Sequence, residues 1–254
     1  MFGWWPKRRE APPLPQALWD TVLASYPFLA QRPDAEREQL RALSARFLQD
    51  KEFHGAQGLQ ITDEIALSIA AQAVLPVLHL GLHWYDDFVG IVVHPDEVVA
   101  RRTHVDETGV VHAYDEVLAG EAMEQGPVML SWHDVREAGL RCDEGYNVVI
   151  HEFVHKLDMR DGEPDGCPPL PSRAARRAWQ DLLAREYDAF RERVIVAERF
   201  GGEPTWLDPY GAQAIDEFFA VACEGYFVQR ERFAREFPDL APLFDSFFKP
   251  AARP

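Results

Sequence analysis

Two histidines four residues apart, with a glutamate directly after the first, form the segment His151-Glu152-Phe153-Val154-His155. On a helix this spacing projects both imidazoles from one face, about one turn apart, so both can reach a single ion. Glu152 stands one step round the helix, where it can hold an activated water without being a ligand itself. That is the arrangement of a metalloprotease general base. The neighbouring Val148, Val149, Ile150, Phe153, Val154 and Leu157 are apolar, which predicts a buried helix whose polar trio faces an internal cleft. The plain alternative is a pair of core histidines satisfied by hydrogen bonds.

A catalytic zinc site usually has three protein ligands and one position for water, so the two histidines call for a third donor elsewhere. Glu217 is the best candidate. Glu217 and Glu224 lie two turns apart on one face of an otherwise apolar segment containing Phe218, Phe219, Val221 and Ala222. Glu217 reads either as the third ligand or as an anion welcome in a first helical turn, and Glu224 as a hydrogen-bond acceptor for a ligand histidine. Tyr210 precedes this helix and is either a donor to a developing oxyanion or a packed loop aromatic. The other histidines show no second pair with a glutamate beside it; His79 and His83 are four apart, but Leu80 stands where the base is needed.

The elements that must position these groups are mostly helical. Leu40, Leu43 and Phe47 recur at helical spacing between Asp34 and Asp50, with Asp34, Glu36 and Glu38 at the end where the dipole favours anions. A second helix is expected from about Asp63, kinked or divided at Pro76. Short β-rich runs at 88–93, 110–118 and 128–132 predict a small sheet. Helical patterning returns over 147–159, 172–193, 213–228 and near the C-terminus, and the Gly- and Pro-rich stretch 161–171 interrupts it. That stretch and the C-terminal tail are candidates for covering the cleft. Residues 1–33 read as a Pro-rich, aromatic arm with one short helix.

With 254 residues, 47% of them hydrophobic and 27% charged, the chain has the profile of a folded protein. One unit is expected over residues 1–254, with an arm and helical layer to residue 82 and the sheet and zinc core beyond it. The net charge of -16 repels phosphate backbones and anionic lipid, and the basic clusters at Lys7-Arg8-Arg9 and Arg173 to Arg177 are short. Direct nucleic-acid binding is therefore not expected. Ile65 to Leu82 lacks charged residues, yet Ser68, Gln72, Pro76 and His79 dilute it, so it reads as buried helix and not as a membrane span. Cys142, Cys167 and Cys223 form no C-x-x-C pair, and the N-terminus lacks the order of a signal peptide, which together predict a cytoplasmic protein.

Across nearly its whole length the sequence resembles the Mlc titration factor A family, zinc metallopeptidases whose core is related to the anthrax lethal factor protease domain. The likeness rests on Gly58-Leu59-Gln60-Ile61-Thr62-Asp63-Glu64, Gln125-Gly126-Pro127-Val128, His151 through Asp158, Glu217-Phe218-Phe219-Ala220-Val221 and Glu224. It implies a mostly helical, zincin-like α+β fold of gluzincin type, with a small sheet and an N-terminal helical layer. It implies zinc bound by His151, His155 and Glu217, with Glu152 as general base and Tyr210 as oxyanion donor. It also implies aminopeptidase-like activity on peptides and binding of a transcription repressor of Mlc type. By analogy with the related proteases, an edge strand at Val128 to Trp132 is expected to hold the substrate backbone. One departure is Gly225, which separates Glu224 from Tyr226 where the aromatic is expected to follow directly.

Overall fold

The computed structural model describes residues 13–105, 111–162 and 164–250. The basic cluster at 7–9, with the first twelve residues of the proline-rich arm, and the last residues of the C-terminal tail lie outside these. The chain is mostly helical with a small mixed sheet, the α+β architecture expected.

Helices α1 (Gln16–Ser25), α2 (Pro27–Ala30) and α3 (Asp34–Asp50) form the N-terminal layer. Asp34 and Glu36 lie in the first turn of α3, where its unpaired N–H groups favour negative charge. Strand β1 (Glu52–Gly55) leads to α4 (Asp63–Ala73), whose N-terminus is capped by the Thr62 side chain accepting from the Ile65 N–H. Almost all of α4 is buried, including Ser68 and Gln72. It ends at Ala73, so Pro76 lies beyond the helix instead of kinking it. Among the described residues no helix is long and apolar enough to cross a membrane.

The sheet follows. Strands β2 (Gly90–His94), β3 (Val98–Val105), β4 (Val111–Leu118), β5 (Gly120–Ala122) and β6 (Val128–Ser131) fall into two groups. The four-stranded sheet has the order β1-β2-β6-β5, parallel except for β5, while β3 and β4 form a separate antiparallel pair. The register of β6 pairs Ile91 with Val128 on one side and Gly120 with Leu130 on the other. This corrects the expectation of an edge strand at Val128 to Trp132. That run is interior, the edges are β1 and β5, and Trp132 begins helix α5 (Trp132–Glu137), where the Ser131 hydroxyl accepts the Asp134 N–H.

Helix α6 (Val148–Asp158) lies against the sheet and against α8 (Ile215–Val228). Its inner face is locked by Phe153, which meets Phe47, Tyr85 and Phe88 with ring centroids 5.2 to 5.9 Å apart. Truncating such a residue to Ala costs about 3–5 kcal/mol. Helix α7 (Arg173–Phe200) supports α8 through Trp179 on Phe219, and α9 (Arg230–Glu236) and α10 (Leu240–Phe248) close the aromatic core around Phe244. The 161–171 stretch is tied down on this core. The Trp179 indole donates to the Gly166 carbonyl at 2.8 Å, the Gly166 N–H donates to Asp158 at 2.8 Å, and Cys167 is buried.

Candidate metal centre

The site is assembled where α6 crosses α8. Asn147 caps α6 by accepting the Ile150 N–H at 2.9 Å, and its amide donates to Gln72 of α4 at 2.8 Å. One turn further on, His151 and His155 project from the same face, with Nε2 atoms 3.2 Å apart. Glu217, in the first turn of α8, brings its Oε2 to 3.0 Å from His151 Nε2 and 3.4 Å from His155 Nε2. One ligand atom from each of these three residues lies within 4.8 Å of the other two. Glu224, two turns along α8, sits behind His151 and accepts from its Nδ1 at 2.8 Å and from the Asn147 N–H.

Glu224, as a carboxylate, can only accept here, so His151 Nδ1 is assigned as the donor to it. In the neutral ring this leaves Nε2 with a lone pair toward Glu217 and the other imidazole, and in the protonated ring Nε2 donates to the Glu217 carboxylate. Burial works against a charged imidazole, yet the hydrogen bonds to Glu217 and Glu224 prevail and raise the His151 pKa well above its ordinary value. Burial likewise opposes the Glu217 charge, but His151 and His155 hold its carboxyl well below the usual range. The cluster therefore attracts positive charge, and a proton supplies it when no ion does.

Glu152 is 5% exposed, and burial pushes its carboxyl up to about 7 against the pull of His151 and His155. It rests on β5: a Cβ built on Gly120 would fall 2.6 Å from Glu152 Cγ and Oε1. Only glycine there leaves room for this carboxylate. Tyr210 stands on a short 3-10 turn, Pro209–Ala212, opened by Asp208, whose side chain accepts the Tyr210 N–H at 2.9 Å. Its ring lies 6.0 Å from that of His151. A cavity of about 320 Å³ is lined by His151, Glu152 and Tyr210 together with Asp134, Arg141 and Tyr146. None of the described residues of the 161–171 stretch lines it.

Residues 2–249 match the family described as glucose-regulated metallo-peptidase M90. The chain belongs to this M90 metallopeptidase family. It is 36% identical over 246 residues to "Mlc titration factor A" of Edwardsiella ictaluri, covering 96% of this chain and 92% of the relative. It is 35% identical to the protein of that name in Serratia proteamaculans, covering 98% and 94%. A Synechocystis protein is 37% identical over 228 residues, covering 89% and 81%.

Membership of the M90 family implies a metal ion, and the donor chemistry at α6 and α8 fits one. Two imidazole nitrogens and a carboxylate oxygen converge with their lone pairs opposed, a contact that a shared cation relieves. Sequence reasoning brought His151, His155, Glu217, Glu152, Tyr210 and Glu224 to this one place. It did not find Asn147, although a capping asparagine one helical turn before His151 was visible in the pattern. It also missed Gly120, for which a three-residue strand offers no periodic signal.

The unexpected Gly225 has a steric reason. A Cβ there would lie 2.8 Å from Leu207 and 3.2 Å from Trp206, so it lets the segment leading to Tyr210 cross α8 closely. Tyr226 points away from the site. Its hydroxyl donates to Asp245 at 2.6 Å within the aromatic core.

Proposed function

We propose that this chain is a zinc-dependent peptidase of aminopeptidase-like action, with the ion held by His151, His155 and Glu217. The observation that carries this reading is the convergence of those three donors beside a buried carboxylate, Glu152, which together with His151 lines a cavity of about 320 Å³. Zinc suits a tetrahedral N2O set with one position open. When bound, it polarises a carbonyl and lowers the pKa of water to about 7.

The protein's own groups then have separate tasks. Glu152, kept poorly solvated near neutrality, takes a proton from the attacking water at its carboxylate and returns it to the leaving amine nitrogen. Tyr210 donates its phenol hydrogen to the oxygen that gains charge as the carbonyl is attacked. Glu224 holds the His151 ring in the tautomer that leaves Nε2 free to bind. Strand β5, the last strand of the four-stranded sheet, lies beside Glu152 and is the strand along which an extended peptide would be laid.

The test compares wild type with Glu152→Gln for zinc content and for hydrolysis of amino-acid 4-nitroanilides. Zinc in both with turnover in the wild type alone supports the reading; equal turnover in the two sinks it.

A second activity is proposed on different ground. Relatives at about 35% identity over nearly the full chain carry a name that speaks of titrating Mlc, so this chain is read as also binding a transcription repressor of Mlc type. Gel filtration of the purified pair checks it: co-elution is expected, and separate elution at micromolar concentrations would reject it. The working compartment is read as the cytoplasm, in keeping with three cysteines that are all free. The chain is read as a single unit, since α6 touches the N-terminal helix α4 and the sheet alike.

A further inference from the structure

The cavity beside Glu152 and Tyr210 has a wall that the proposed chemistry does not use. Asp134, on α5, lines it and is 6% exposed. Its Oδ1 accepts the Tyr146 phenol at 3.1 Å, but its Oδ2 is buried with no hydrogen-bond partner. A carboxylate oxygen left in that condition is costly unless something arrives to pair with it.

The cation already on this wall does not relieve it. Arg141 pairs through Nε with Glu144 at 2.7 Å, and its guanidinium stacks 3.9 Å over the Tyr146 ring. Besides Glu152 and Glu224, two more carboxylates, Asp208 and the exposed Glu97, line the same cavity and add to its negative charge. A ligand group that satisfies Asp134 must therefore be a donor, positively charged, and small enough for about 320 Å³ shared with the reacting centre. An ammonium group meets these conditions, with three donors, no acceptor and a compact charge.

We infer that Asp134 is the counter-charge for a substrate ammonium group, so that the cavity selects residues bearing one next to the scissile bond. The inference rests on the peptidase reading and narrows its substrate class. The ammonium is either the free amino terminus of a peptide or the end of a lysine side chain. Both would make the same charge-assisted hydrogen bond to the Asp134 carboxylate.

Binding to the zinc-loaded Glu152→Gln protein, measured by calorimetry, tests this without turnover. The probes are L-alaninamide, N-acetyl-L-alaninamide and Nα-acetyl-L-lysinamide. One of the two probes that carry an ammonium is expected to bind about 10-fold or more tighter than N-acetyl-L-alaninamide, as loss of a charge-assisted hydrogen bond implies. A tight L-alaninamide identifies the amino terminus, and a tight Nα-acetyl-L-lysinamide identifies the side chain. Adding Asp134→Asn is expected to reduce the preference to about 2-fold or less.

Equal binding of all three probes, no binding of any, or a preference that survives Asp134→Asn would overturn the inference. The comparison of probes needs no change at Asp134, and Asp134→Glu, which keeps the charge, guards against a misfolded Asn variant by retaining part of the preference. Hydrolysis of alanine 4-nitroanilide and its N-acetyl form by wild type is followed separately. Probe selectivity without turnover would defeat the peptidase reading alone, and turnover without selectivity would defeat the subsite alone.

Discussion

Gly120→Ala places a single methyl group against the proposed base. The new Cβ would lie 2.6 Å from Glu152 Cγ and Oε1, so it must gain about 0.8 Å to reach the 3.4 Å at which ordinary contact begins. Strand β5 cannot easily yield, because Gly120 is held in register with Leu130 of β6. Helix α6 is fixed by Phe153 among three other aromatic rings. The Glu152 carboxylate is therefore the part that moves. A displacement approaching 1 Å at a reacting group costs on the order of 10²-fold in kcat, or about 2.7 kcal/mol of barrier. Overpacking costs about 1–3 kcal/mol of stability, which an otherwise sound fold survives. The assay is steady-state hydrolysis of an amino-acid 4-nitroanilide, with zinc content by mass spectrometry and a urea melt on the same sample. The expected result is kcat down about 100-fold, zinc unchanged, and no further loss when Gly120→Ala is added to Glu152→Gln. Full activity in folded, zinc-replete Gly120→Ala would refute the placement of Glu152 as the acting group.

Three further outcomes follow from the wiring of α6. Glu224→Gln removes the charged acceptor behind His151 Nδ1 and is expected to weaken zinc binding by about 10–100-fold in competition with a chelator; unchanged affinity would contradict its orienting role. Asp158 is fully buried, and burial pushes its carboxyl up to about 7 despite the Gly166 N–H. The folded state therefore holds a proton that the unfolded chain releases near 3.8, so stability is greatest below that pH and falls as pH rises through 7. Asp158→Asn should flatten that fall in urea melts at pH 5 and pH 8, and an unaltered slope would show that another group is responsible. Lys156 is 1% exposed, donating to the Met123 and Gly126 carbonyls at 2.7 and 3.1 Å and lying 4.6 Å from the Phe88 ring centre. Lys156→Met should lower stability by about 2–4 kcal/mol through two unsatisfied acceptors; a loss below about 0.5 kcal/mol would mean that water replaces the ammonium.

Much of the site was legible because its logic is local. The H-E-x-x-H spacing fixes which side chains share a helical face before any tertiary contact exists, and α3 runs over the same Asp34–Asp50 span that its apolar periodicity marks. Glu217 and Glu224 stood out because carboxylates are rare on so apolar a helix. What escaped depends on groups far apart in sequence. Strand β5 has three residues and no alternation, so the edge beside Glu152 was assigned instead to the stronger β pattern of β6. Lys156 reads in sequence as a charge after the motif, yet it is buried under the turn that joins β5 to β6. Asp134 has no sequence signal at all, since its importance lies in a buried, unpaired oxygen on a residue that lines a cavity built by other elements.

The central claim is that His151, His155 and Glu217 share one ion. Anomalous diffraction at the zinc absorption edge tests it most directly, using crystals of protein purified without added metal. One strong peak is expected about 2.0–2.2 Å from Nε2 of each histidine and from a Glu217 oxygen. No peak there in diffracting crystals, or a peak held by other residues, would contradict it.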